Sequence, residues 1–373
     1  MKVVVGMSGG VDSSVAACLL KEQGYEVEGV SFILEERRLN PANSASACCS
    51  AESLLDARKT ARFIGINHTM VNLRNEFTEH VIEPFIDAYM RGLTPNPCIL
   101  CNVRIKFRYL LRIADEVGAD CIATGHYARI RDGNLHKGVD AKKDQSYVLY
   151  VLRGEELRRL TLPLGEKTKD EVRDIARGLR LPSAQRPESQ EICFVGGGKY
   201  FTFLENITKG SDGPVIEWET GEVLGRHKGI HAYTIGQRKR LGIAVGRPLY
   251  VIAIDPSRDT LYVGRREAAM GKEFAVEKVH WLNRSVVPEG KEGQKISSSF
   301  RATVKIRSTM KDEPATLEVL DAEMVKVSFD EPQWAPAPGQ SAVFYLGEVV
   351  IGGGVIRKQG LASQRVRKNP AEG

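Results

Sequence analysis

The chain has 373 residues, 42% apolar and 27% charged, with a formal net charge of +6. That length exceeds one ordinary core and implies two or three domains, and the composition excludes a disordered or collagen-like chain. No run of about 18 apolar residues occurs, and "MKVVVGMSGG" enters structure without a leader, so a cytoplasmic protein with no membrane contact is expected. Seven cysteines in a long chain do not suggest a secreted disulfide scaffold. The mild excess of cations is compatible with a polyanionic partner but is weak evidence alone.

In chain order, "KVVVGM" is a continuous apolar run and predicts a buried strand. A helix follows, with Val15, Leu19 and Leu20 on one face and Gly24 as its stop. "EVEGVSFIL" predicts a second strand. "SAESLLDARKTARFIGI" predicts a helix from the spacing of Leu54, Leu55, Ala61 and Ile64. "HTMVNL" is a third strand, "NEFTEHVIEPFIDAYM" and "IKFRYLLRIADEVGA" are helices, and "DCIATGHYARI" is another strand. This alternation predicts an α/β domain with a parallel sheet, whose ligands bind beyond the carboxyl ends of the strands. "KTKDEVRDIARGLRLP" adds a helix opened by a Thr168/Glu171 capping box, and "GGGKYFTFLENITKG" another. Beyond it, short apolar runs broken by Gly, Pro and Asp predict two small mostly-β domains. The expected boundaries are 1–196, 197–272, and 273–361 for a β-barrel, with a mobile tail over 362–373.

"SGGVDSS" lies between the first strand and the first helix. Its glycines let backbone N–H groups approach an anion, and the helix N-terminus adds positive potential. Ser8, Ser13 and Ser14 can donate further bonds, and Asp12 can hold a magnesium ion or cap the helix. The pattern is neither a Walker loop nor a dinucleotide fingerprint.

"TPNPCILCNVRIKF" holds Cys98 and Cys101 in C-x-x-C spacing at a loop-to-helix junction. Paired spacing of this kind usually reflects redox or metal chemistry, and a helix start favours the thiolate. Cys193 in "PESQEICFVGGGKY" precedes a glycine run, as in a mobile loop that could carry one thiol to another. Cys18 and Cys121 read as buried hydrophobes, and Cys48 and Cys49 as bland residues at a loop-to-helix boundary. In "FRATVKIRS", Arg301, Thr303, Lys305 and Arg307 share one face of a strand, while Ala302, Val304 and Ile306 share the other. The first face can meet phosphates or simply be solvated. Arg238, Lys239 and Arg240, with Lys142 and Lys143, add weak support for an RNA partner.

The string "SGGVDSS" resembles the pyrophosphate loop of the ATP pyrophosphatase superfamily, an adenine nucleotide alpha hydrolase-like fold. Members adenylate a carbonyl oxygen and release pyrophosphate. Together, "GMSGGVDSSV", "TPNPCILCNVRIKF", "ATGHY", "KDQSYVLY", "ICFVG", "TIGQRKRLGI" and "PGQSAVFYLGEVVIGGG" resemble, in order, the tRNA-specific 2-thiouridylases, over residues 3 to about 356. The resemblance implies ATP-dependent 2-thiolation of a wobble uridine. It places Gly6, Met7, Ser8, Gly9, Gly10, Val11, Asp12 and Ser13 around the ATP phosphates, with Phe32 and Gly125 at the adenine. It places Asn96, Pro97 and Cys98 against the flipped uridine, whose unpaired position makes it cheaper to extrude. Cys101 matches the nucleophilic cysteine and Cys193 the persulfide-bearing one. Lys143, Asp144 and Gln145, and Arg307 with Ser308, match tRNA-contacting segments.

ATP and Mg2+ are the cofactors this implies. The partners are a tRNA anticodon arm and a sulfur donor, either a persulfide carrier protein or inorganic sulfide. The best-known members carry aspartate at the position of Cys98. Three thiols, Cys98, Cys101 and Cys193, instead suit three irons of a 4Fe–4S cluster, an expectation set beside the persulfide scheme. Two other functions compete: an amide-forming synthetase that adenylates a different acceptor, and a non-catalytic RNA-binding protein with a regulatory nucleotide site. The first leaves the three thiols unexplained; the second leaves them idle.

Overall fold

A computed structural model describes residues 1–34, 51–188, 192–195, 200–208, 210–283 and 298–358. Cys48, Cys49, the glycine run after Cys193 and the C-terminal tail lie outside the described residues. The chain divides into two compact units. One comprises Met1–Glu83, Pro97–Lys199 and Glu348–Ile351; the other comprises Pro84–Asn96, Tyr200–Gly347 and Gly352–Gly373.

The first unit opens with β1 (Lys2–Gly6), α1 (Val11–Glu22), β2 (Glu26–Ile33), α2 (Ala51–Ile64), β3 (Asn67–Asn72) and α3 (Arg74–Phe77). A π-helical turn, Thr78–Ile82, leads into α4 (Glu83–Met90), most of which belongs to the second unit. The chain returns with α5 (Pro97–Cys101), a second π-helical turn (Asn102–Lys106), α6 (Phe107–Glu116) and β4 (Cys121–Ala123). A hairpin of β5 (Ala128–Arg131) and β6 (Asn134–Lys137), then α7 (Gly154–Arg158), β7 (Leu160–Thr161) and α8 (Lys169–Gly178) complete it. The sheet order is β3-β2-β1-β4-β7, all parallel. Val3, Val4 and Val5 are fully buried in its centre, as their unbroken apolar run predicts. Strand order reverses between β1 and β4, so the loops leaving those two strands open onto one crevice.

Three local expectations change. The stretch after Asp120 is two strands, not one: β4 joins the parallel sheet, Thr124–Tyr127 breaks away, and β5 pairs with β6. In α2 the buried face is Ser53, Ala57, Thr60 and Ala61, whereas Leu55 is exposed. Small residues let this helix lie close to the sheet, which leucine spacing cannot reveal. "HAYTIG" is not a strand but carries a 3₁₀ turn, Ile230–Ala232.

The second unit contains α9 (Tyr200–Ile207), whose Tyr200 stacks on Tyr89 with ring centroids 4.9 Å apart. Strands β8 (Gly213–Glu217), β9 (Val223–His227), β10 (Tyr250–Asp255) and β11 (Thr260–Gly264) form one sheet in the order β10-β11-β8-β9. Val215, Val251, Leu261 and Val263 sit at the heart of its core. After the short α10 (Arg266–Ala269) come β12 (Met270–Trp281), β13 (Ser298–Lys305), β14 (Glu313–Val319), β15 (Val325–Trp334), β16 (Ser341–Leu346) and β17 (Val349–Ile356). They run β12-β15-β14-β13-β16-β17, and pairs such as Val276–Ile356 close the ring into a six-stranded barrel. Closure leaves no edge strand to protect.

The capping box at α8 forms as expected: Glu171 N–H donates to Thr168 Oγ1 at 3.3 Å, and Thr168 N–H donates to the Glu171 carboxylate at 2.7 Å. Thr168→Ala should lower unfolding stability by about 1 kcal/mol, read from a denaturant midpoint at constant slope.

Candidate active site

Beyond β1 the chain makes a tight turn tied by its own hydroxyls. Ser8 N–H donates to Ser13 Oγ at 3.1 Å, and Ser13 and Ser14 hydroxyls donate to the Gly10 carbonyl at 3.2 and 2.9 Å. Gly10 is the N-cap of α1 and provides no side-chain cap, so the first-turn N–H groups face the crevice. Gly9 has φ +78°, and a Cβ there would sit 2.0 Å from the Ser53 carbonyl oxygen at the start of α2. Only glycine satisfies both conditions.

A cavity of about 220 Å3 opens over this turn. Gly6, Met7, Ser8, Asp12, Ser13, Phe32 and Gly125 line it, all of them residues singled out from the sequence. Gly9, Gly10 and Val11 shape the turn without lining the cavity. A Cβ on Gly125 would lie 2.8 Å from the backbone of Asp12 and Ser13, so the loop after β4 rests directly on the start of α1. Gln145, expected to touch RNA, also lines the cavity, and its side-chain carbonyl accepts from Tyr127 N–H at 3.0 Å.

Sequence reasoning missed Lys106, Leu110, Thr124 and His126 on the same wall. His126 follows Gly125 in "TGHY", which was the available signal. Its Nδ1 lies 2.8 Å from Thr124 Oγ1. Burial first, then the nearby Lys106 charge, pushes its pKa down to about 3. His126 is therefore a neutral hydrogen-bonding group at ordinary pH, not a proton donor of the imidazolium kind.

The cysteines are placed by helix geometry. Pro97 is the first residue of α5, where its fixed φ suits a helix start. Cys98 is exposed and Cys101 is 5% exposed. The π turn after Cys101 runs into Lys106, and α6 continues to Leu110 on the cavity wall. Cys193 is half-buried. Its neighbour Phe194 packs edge-on against Phe77, with centroids 5.8 Å apart, and α5 packs on the π turn that Phe77 precedes. Both thiol-bearing segments thus border the same π turn, a feature often found at functional sites.

Among the described residues, no three His, Cys, Asp or Glu side chains gather as a metal-binding set. Cys98, Cys101 and Cys193 are therefore not gathered into such a set in this arrangement. Asp12 is instead paired within the chain. Its Oδ1 and Oδ2 accept from Lys169 Nζ at 2.6 and 2.8 Å, and Tyr127 OH donates to Oδ1 at 2.7 Å. Burial, then the Asp12 charge, holds Tyr127 far above the usual phenol range, so it stays a donor. Asp140, accepting from Lys169 N–H at 3.0 Å, sets the start of α8.

Lys143 pairs with Glu188 at 2.7 Å, while Asp144 accepts from Gly138 N–H and Ser146 N–H, both at 3.0 Å. Asp144 therefore shapes the turn that carries Lys142 and Lys143. Asn96, Arg307 and Ser308 belong to the second unit. There Arg307 donates to the Ile235 and Ala335 carbonyls at 3.1 and 3.0 Å, and Ser308 is exposed.

A parallel sheet with a hydroxyl- and glycine-built anion cradle at its switch point defines an α/β domain of the HUP class. Comparison agrees: residues 1–197 match the tRNA methyl transferase HUP domain, 201–265 its PRC-barrel domain, and 271–356 the aminomethyltransferase beta-barrel domain. A tRNA-specific 2-thiouridylase, MnmA 2, of Caldanaerobacter subterraneus subsp. tengcongensis is 45% identical over 96% of this chain and 98% of its own length. The enzymes of the same name from Carboxydothermus hydrogenoformans and Halothermothrix orenii are 45% and 43% identical, over 96% of this chain and 98% and 99% of theirs. The chain belongs to the tRNA-specific 2-thiouridylase family.

His126 generates a pH prediction. Its folded pKa lies below the unfolded value of 6.5, so the unfolded chain binds the proton first. Stability from this group is complete above about pH 6.5 and is lost as pH falls toward about 3. His126→Gln should flatten that acid limb in denaturant midpoints measured against pH.

Proposed function

We propose that the chain uses ATP to replace the 2-oxygen of a tRNA wobble uridine with sulfur. The observation that carries this reading is one continuous helical run. It bears Cys98 and Cys101 at its start and, after a π turn, presents Lys106 and Leu110 to the cavity above the anion cradle. This supports a reading in which the thiols and the nucleotide act next to one another. The names of relatives that are 43–45% identical over nearly the whole chain support the same reaction. Methyl transfer, which the domain descriptions mention, gives the cysteine pair no task.

In this reading the cradle N–H groups and the Ser8 and Ser13 hydroxyls bind the ATP phosphates, and Phe32 and Gly125 border the adenine. The flipped uracil lies against Pro97 and Cys98. Its 2-oxygen attacks the α-phosphorus, the α–β bridge breaks, and pyrophosphate departs. Carbon 2 is now electrophilic because adenylate is a good leaving group. A persulfide on Cys193, loaded by a persulfide carrier, attacks carbon 2 through its terminal sulfur, and AMP leaves with the original oxygen. The Cys101 thiolate then attacks Sγ of Cys193. The sulfur–sulfur bond of the former persulfide breaks, a Cys101–Cys193 disulfide forms, and the two electrons released reduce the transferred sulfur to a thiocarbonyl. An external dithiol resets the pair. His126, neutral, hydrogen-bonds within the cavity. Lys142, exposed on the turn that Asp144 shapes, faces the tRNA backbone, where cations supply most of the affinity.

The test is thiolation of an anticodon stem-loop RNA by Cys193-persulfidated protein, read by mass spectrometry of the released nucleosides. Product should require ATP and yield one AMP per 2-thiouridine. Cys101→Ser and Cys193→Ser should each lower the rate by at least about 100-fold, as loss of a covalent participant does. Sulfur incorporation without ATP cleavage, or at an unchanged rate in both variants, overturns the reading.

A further inference from the structure

An acid inside an anion cradle is a physical contradiction. Asp12 sits in the first turn of α1 and lines the cavity proposed to hold the triphosphate. A carboxylate in a first turn favours the helix but repels phosphate. Its side chain is 31% exposed, so it is not hidden from the site.

The resolution lies in α8, far along the chain. Lys169 is the first residue of that helix, only 7% exposed, and its ammonium bridges both Asp12 oxygens. A cation at a helix N-terminus opposes the helix dipole. Such a breach of local rules is expected where function demands it. Nothing about α8 itself calls for lysine there. The Thr168–Glu171 cap fixes the first turn, and Val172 and Ala176 pack on Val15 and Cys18 of α1, which registers the two helices. The outcome is one ammonium delivered to one carboxylate. Glu188 stands 3.6 Å away on the other side of that ammonium, and Lys143 balances Glu188.

We propose that Lys169 is a positioning residue of the nucleotide site, neutralising Asp12 and holding it against Tyr127 so that the cradle offers the phosphates donors without a net negative charge. This rests on the reading of the cavity as the ATP site. Asp12 then serves as the seat of an internal cation.

Calorimetric titration of ATP into the full-length protein tests it, with wild type, Lys169→Met, Asp12→Asn and the double variant, each with and without magnesium. Lys169→Met exposes Asp12 and should weaken ATP by about tenfold or more. Asp12→Asn keeps the shape and one acceptor oxygen for Tyr127 and Lys169 but removes the negative charge, and should tighten ATP severalfold. The double variant should recover most of the affinity lost in Lys169→Met, which a merely structural lysine would not permit. Lys169→Arg, with charge retained, should remain close to wild type. Should Lys169→Met fail to fold, the Asp12→Asn arm still decides. Weaker ATP binding in Asp12→Asn, or no recovery in the double variant, overturns the proposal. Failure of the wild type to bind ATP overturns the assignment of the cavity instead.

Discussion

Backbone meets backbone at the switch point of the parallel sheet, and the rest of the site depends on that approach. Gly125, after β4, lies where a Cβ would be 2.8 Å from the Asp12 and Ser13 main chain, and a Cβ on Gly9 would be closer still, 2.0 Å, to the Ser53 carbonyl oxygen of α2. Three segments distant in sequence therefore form one wall without intervening side chains. A single added methyl at either glycine would have to displace main chain, not a flexible side chain. The cavity's width, and the aim of the first-turn N–H groups of α1, follow from this contact.

Charge at the site is organised around that wall in alternation: Asp12, Lys169, Glu188, Lys143. Each ion is at least partly withdrawn from water, so each needs its neighbour. The segment carrying Glu188 continues toward Cys193, and Arg186, two residues earlier, reaches Ser53 Oγ at 2.6 Å and Asp56 at 2.8 Å. Arg186 and Glu188 are thus held by elements that also border the cavity. Phe194 adds an apolar anchor on Phe77.

The second unit shows how a correct pattern can carry an altered meaning. Ala302, Val304 and Ile306 fill the barrel interior, as strand alternation requires. The opposite face is cationic in sequence but largely committed in three dimensions. Arg301 forms a two-pronged pair with Asp330, Thr303 bonds to Asp312, Lys305 is 6% exposed, and Arg307 is tied to two carbonyls. Cations spent on neighbouring strands are weaker evidence for a polyanion than their number suggests.

Much of the molecule was readable from one dimension because its signals are local. An unbroken Val3–Val5 run marks a central strand, Thr168 and Glu171 mark a helix start, and glycine and serine spacing marks an anion cradle. The two-residue alternation in β13 marks a barrel wall, and the long motif strings mark the family. What failed were properties set by distant partners. The strand expected over Asp120–Ile130 broke at Gly125 because the loop must rest on α1. The pairing of Asp12 with Lys169, 157 positions away, leaves no trace in the motif that carries Asp12. His126 and Lys106 met only when their helix and loop closed on one cavity. Sequence by itself determined which segments fold and what chemistry they carry, since propensity, capping and alternation act over a few residues. Only tertiary structure decided which charges neutralise one another and which donors remain for a ligand, since Coulomb interaction and burial depend on separation in space, not along the chain.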